Sequence, residues 1–211
     1  MHPRASLVCK ALSAIVIVGL VSAGTASATV KKKPAPPKPV CGLVTSPMDP
    51  NSLDSNLDII SADVASNATM LTTAIRVASL GAWPDTKSPL GRQWTISFTI
   101  DTHLVTVTVT DGPFGVMSSY PAKSVTLDTT AKEIRFSIPI NKLSDASATP
   151  AIRNGKSILT KFSVSTNETV QGPDASPVLR GGTLFGVRLV DTAVSAKKYI
   201  AGTPSCLKVG T

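Results

Sequence analysis

Sulfur and imidazole are the scarce reactive groups of this 211-residue chain, which carries three cysteines (Cys9, Cys41, Cys206) and two histidines (His2, His103). Cys9 precedes an apolar run and is expected to leave with an export signal. Cys41 and Cys206 then bracket nearly everything able to fold. In an exported protein two such cysteines are expected to pair, and closing a loop of about 165 residues would stabilise by roughly 5 kcal/mol through the restricted unfolded chain. No Cys-x-x-Cys spacing occurs, which makes the pair structural and not a redox centre. Catalytic constellations are sparse. A Ser-His-Asp triad would have to use His103, and no G-x-S-x-G elbow presents a serine to it. Zinc finds too few ligands. A glycosidase needs two carboxyls facing across a cleft, and the only glutamates are Glu133, beside Arg135 on the polar face of a strand pattern, and Glu168. The chain is expected to be non-catalytic.

These residues need a frame, and it begins with a leader. Arg4 and Lys10 precede the apolar stretch 11–21 (ALSAIVIVGLV), and small residues follow as far as Ala26-Ser27-Ala28. That order reads as a signal peptide over 1–28. The run is shorter than the ~20 apolar residues a membrane span requires, so the mature chain is expected to be secreted, extracellular and without a transmembrane anchor. Residues 29–40 (TVKKKPAPPKPV) mix lysine with proline and read as an extended, semi-rigid linker, either a solvated spacer or a contact for anionic cell-wall polymers or lipid headgroups. The remainder, 41–211, suits one domain. Six of the 21 Lys and Arg precede Cys41, which leaves 15 cations against 13 acids in that domain. Near-neutrality removes the main argument for nucleic-acid binding.

The domain reads as strands. Residues 92–100 (RQWTISFTI) place Trp94, Ile96, Phe98 and Ile100 on one face, and 103–110 (HLVTVTVT) do the same with Val105, Val107 and Val109. Period two is the strand signature, and the Asp101-Thr102 connection predicts an antiparallel hairpin. Residues 133–139 (EIRFSIP) turn Ile134, Phe136 and Ile138 inward and end at a proline that cannot donate to a ladder. Further strands are expected over 57–64, 70–77, 115–120, 157–166 and 184–190, and a helical turn over 140–143. About eight antiparallel strands without alternating helices predict an all-β fold, a jelly-roll-like β-sandwich.

The succession of LDIISADVASN, LTTAIRVASL, GRQWTISFTI and EIRFSIP resembles the DOMON-like sandwiches of exported actinobacterial proteins, related to family-nine carbohydrate-binding modules. The resemblance spans most of residues 41–195 and implies the sandwich fold, with sugar or haem as ligands in some branches. Sugar-binding members often hold calcium in an early acidic segment. Here Asp49, Asn51, Asp54 and Asp58, with Asp191 as a distant contributor, offer the hard oxygens calcium takes, although Asp and Asn before a first strand equally serve as turn formers. A sugar platform would be an exposed aromatic. Trp83 and Tyr120 are the candidates, with Asp85, Lys87 and Arg92 as polar neighbours, whereas Trp94 is expected in the core. Haem would need His103 with Met70 or Met117, which read instead as surface and filler residues. The expected function is a secreted structural or protein-interaction domain of the bacterial cell envelope, its partner an envelope protein. The alternative is a carbohydrate-binding module for an extracellular polysaccharide, with calcium as its one candidate cofactor.

Overall fold

A computed structural model describes residues 37–46, 54–83, 91–100, 102–143, 152–171, 178–180 and 183–210. The expected signal peptide and most of the linker lie outside them. The described chain belongs to one compact unit, Pro36–Thr211. In chain order its strands are β1 (Val44–Thr45), β2 (Ile59–Ser66), β3 (Met70–Val77), β4 (Arg92–Ile100), β5 (His103–Gly112), β6 (Gly115–Ser118), β7 (Ser124–Asp128), β8 (Glu133–Pro139), β9 (Ile158–Gln171), β10 (Val178–Arg180), β11 (Thr183–Ser195) and β12 (Tyr199–Ile200). The one helical element among the described residues is a 3-10 turn at Ile140–Lys142, where a helical turn was predicted.

Two antiparallel sheets result, as expected. A five-stranded sheet runs β1-β2-β3-β8-β7, and a seven-stranded sheet runs β10-β11-β9-β4-β5-β6 with β12 paired to the start of β9. The hairpin predicted at Asp101-Thr102 joins β4 to β5, with Ile100 opposite His103. Alternation decides what each sheet turns inward. Trp94, Ile96, Phe98 and Ile100 of β4 and Val107 and Val109 of β5 are fully buried, and they share one core with Leu71, Ile75, Ile134, Phe136 and Ile138 of the opposite sheet. Burying each such side chain contributes about 1.5–3 kcal/mol, which makes this interleaved layer the main source of stability. Phe98 and Phe162 meet at 5.7 Å between ring centroids. Thr73 shares this inward face, and its buried hydroxyl finds no hydrogen-bond partner among the described residues.

Some boundaries differ from the sequence reading. β2 starts at Ile59 because Leu57 and Asp58 belong to the preceding turn. β9 and β11 run well past 166 and 190, since they pair with one another from Gln171–Phe185 to Phe162–Ser195. β7 was not anticipated; it pairs with β8 along Ser124–Ser137 to Asp128–Glu133.

The ends of the domain are fastened together. Cys41 and Cys206 form the expected disulfide, with Cα atoms 5.2 Å apart. Beside it, Val40 N donates to Pro204 O at 2.9 Å and Cys206 N to Val40 O at 3.1 Å. From there the final segment crosses the outer face of the five-stranded sheet. Leu207 packs on Ala65 and Ala74 with Val209 beside them, and Gly210 N donates to Thr72 Oγ1 at 3.0 Å. The sulfurs are exposed, but the strap they hold covers buried surface.

Candidate functional site

The residues expected to hold calcium take part in local structure. Asp54 Oδ1 accepts bonds from Asn56 N and Asn56 Nδ2, both at 2.9 Å, which makes an Asx turn ahead of β2. Asn56 in turn accepts Gly81 N at 2.7 Å on its side chain and Trp94 Nε1 at 3.2 Å on its carbonyl. Asp191 Oδ2 accepts Ile59 N at 2.8 Å, and its Oδ1 accepts Thr192 N at 2.6 Å. Asp58 is buried. Among the described residues no three carboxylate, imidazole or thiol side chains gather into a group able to hold a metal ion. Asp49 and Asn51 lie outside the described residues.

Arg92 departs most from its expected role. As a polar neighbour of a sugar it would need to reach solvent, yet it is fully buried. Its Nη2 and Nε meet Asp111 Oδ2 at 2.9 and 3.2 Å, Nη2 also donates to the carbonyl of Gly81, and the guanidinium stands 5.2 Å from the centroid of Trp94. Even-numbered positions of β4 face the core, so Arg92 follows Trp94 and Ile96 inward, and burial is tolerated because a carboxylate and an indole face receive the charge. Trp94 is buried as expected. Trp83 is half-buried, as is Tyr120, which packs against the core. Asp85 and Lys87 lie outside the described residues.

Three surface features escaped the sequence reading. First, among the described residues most acids lie buried while the lysines lie outside. Asp54, Asp58, Asp63, Asp111, Glu133 and Glu168 are all at most 6% exposed, held in part by arginines. Arg76 bridges Asp63 at 2.7 Å and Glu133 at 2.9 Å, Arg135 meets Glu133 at 2.7 Å, and Arg188 pairs with Glu168. The lysines of the described residues lie at the surface. Among the described residues the surface is therefore richer in cations than the overall charge balance suggests.

Second, the outer face of the seven-stranded sheet carries rows of hydroxyls. Thr106, Ser97 and Ser163 stand abreast on β5, β4 and β9, and so do Thr108, Thr95 and Ser165. Hydroxyl pairs close at 3.0 Å between Thr95 and Thr108 and at 2.9 Å between Ser97 and Thr106. Third, the β5–β6 hairpin presents apolar side chains to solvent. Phe114 is 75% exposed, Met117 49% and Val116 43%.

No helix among the described residues is long and apolar enough to cross a membrane. No protein-family model, no curated protein and no solved structure matches this chain.

Proposed function

We propose that this chain is an exported, non-catalytic interaction domain of the bacterial cell envelope, related to the DOMON-like sandwiches it resembles, and that it grips a partner protein along β6. The supporting observation is the apolar hairpin edge. β6 stands last in the order of its sheet, and Phe114, Val116 and Met117 lie exposed within four residues of one another. A strand edge with backbone groups to offer and apolar side chains beside them suits strand addition by an extended segment of another protein. The apparent signal peptide and the disulfide support an oxidising, extracytoplasmic setting. Capture from envelope extracts of the producing cell tests the reading. The domain should retain a specific protein, and Val116→Lys with Met117→Lys should release it while the melting temperature holds. Equal capture by the double variant would refute the assignment to β6.

A second reading, carbohydrate recognition, draws on the uncharged hydroxyl rows of β4, β5 and β9 and on the ring surface that Trp83 and Tyr120 keep at the exterior. Retention on a neutral glycan, weakened by Trp83→Ala, is its expected outcome; an empty glycan array would end it.

A further inference from the structure

Where β11 leaves β9 a shallow groove opens. The last β11 pair is Ser195 with Phe162, and β12 resumes the pairing at Leu159 with Tyr199, so Thr160 and Lys161 lie between the two ladders. Lys161 adopts a φ of 53°, one of two non-glycine residues with positive φ among the described residues, a conformation that a non-glycine side chain holds only where its surroundings enforce it. Here the backbone kink lies beside the register shift between β4 and β9 at Ser97 and Thr99. Around the groove stand Lys161, Lys198, Thr160, Ser163, Ser195 and Val194. Lys161 and Lys198 are exposed, and so are Arg153 and Lys156 in the turn that leads into β9. None of the described residues lining the groove is acidic. Asp191 is tied to Ile59 N and Thr192 N, while the buried Asp63, Asp111, Glu133 and Glu168 answer Arg76, Arg92, Arg135 and Arg188.

We infer that this groove binds a phosphodiester-linked polyol chain, an anionic and hydroxyl-rich polymer that an envelope domain would meet, and the inference rests on the exported reading above. Ammonium groups act as point charges for phosphate oxygens, Thr160, Ser163 and Ser195 line the groove beside them, and its largely apolar lining, which includes Val194 and Ala196, can take the polymer's carbon backbone. The polymer's own hydroxyls have somewhere to continue. Ser163 stands next to Ser97, whose Oγ is 2.9 Å from Thr106 Oγ1, so a path of uncharged hydroxyls leads from the cationic groove across β9, β4 and β5. A carboxylated polysaccharide built of pyranose rings would call for an aromatic platform. The groove's one aromatic, Phe162, turns its ring into the core. A flexible polyol phosphate needs no platform.

The test uses the purified full mature chain and poly(glycerol phosphate), with polyglutamate of matched charge and neutral dextran as the other arms. Calorimetry at low salt should show binding to poly(glycerol phosphate) in preference to polyglutamate and none to dextran. Lys161→Glu with Lys198→Glu should weaken it by about tenfold or more, whereas Lys132→Glu, on the β7–β8 turn, should change it little. If the double variant fails to fold, Lys198→Glu alone, in the loop before β12, carries the comparison. Equal affinity for polyglutamate, equal loss in the Lys132 variant, or no binding to poly(glycerol phosphate) would each overturn the assignment. Val116→Lys with Met117→Lys should leave the polymer bound, which separates failure here from failure of the β6 partner reading.

Discussion

Arg92 shows how a charged residue becomes part of a hydrophobic face. It occupies an inward position of β4 and is accommodated because Asp111 lies opposite it on β5 and Trp94 lies beneath its guanidinium. Removing one member should be far worse than removing both. Asp111→Ala is expected to cost about 3–5 kcal/mol, since it takes the carboxylate away from a buried cation, while Arg92→Met with Asp111→Leu should recover most of that loss. Urea denaturation of the three variants reads this directly, and additive losses would contradict the pairing. Tyr199 poses a similar problem with uncharged groups. Its hydroxyl accepts Ser66 N at 2.9 Å and donates to Thr203 O at 3.1 Å, so Tyr199→Phe should destabilise by about 1–3 kcal/mol. At this scale the sequence identified residue types but not their partners. The turn reading of Asp54 and Asn56 describes what they do, yet nothing in a residue count shows that Asp63 and Glu133 would meet Arg76, or that Arg92 would face inward.

Strands with strict alternation were legible because their burial is decided locally. β4 and β8 occur where period two placed them, β5 starts at the expected histidine and extends by two residues, and β3 occurs where a run rich in β-branched and apolar residues was expected, buried on both faces. Elements defined by their neighbours were not legible. β1, β10 and β12 are two or three residues long and exist only as partners of β2, β11 and β9. β7 hides for another reason: it is an edge strand whose Val125 and Leu127 are only half-buried between exposed polar residues, so its pattern lacks contrast. β9 outlasts its apolar pattern because its inward Glu168 finds Arg188 on β11. The turn between β7 and β8 offers an element-scale prediction. Lys132 holds a φ of 54° there, and its carbonyl accepts Val77 N. Lys132→Gly should raise stability by about 0.5–1 kcal/mol, the relief of a left-handed side chain exceeding the added chain entropy. A lower melting temperature for this variant would argue against relief at that position.

For the molecule as a whole, the disulfide and the terminal strap act as one device. Cys206 fixes the chain before Leu207 and Val209 cross the five-stranded sheet, so the bond constrains a loop of 165 residues and holds an apolar contact in place. Cys41→Ser with Cys206→Ser should lower stability by up to about 5 kcal/mol, and hydrogen exchange at Leu207 and Gly210 should accelerate first; unchanged protection there would show that the strap stands without its staple. The staple between Cys41 and Cys206 could be anticipated from residue order, whereas the cationic surface of the described residues could not, because it depends on which acids the fold takes inside. Both proposed surfaces are whole-molecule properties: an apolar edge on one hairpin and a basic groove at the β9–β11 junction. The measurement that tests the interaction assignment most directly is site-specific photo-crosslinking in the producing cell with a benzophenone side chain at Val116. The account predicts one discrete adduct with an envelope protein, absent when the same group replaces Lys156. No adduct from Val116, or the same adducts from both positions, would contradict it.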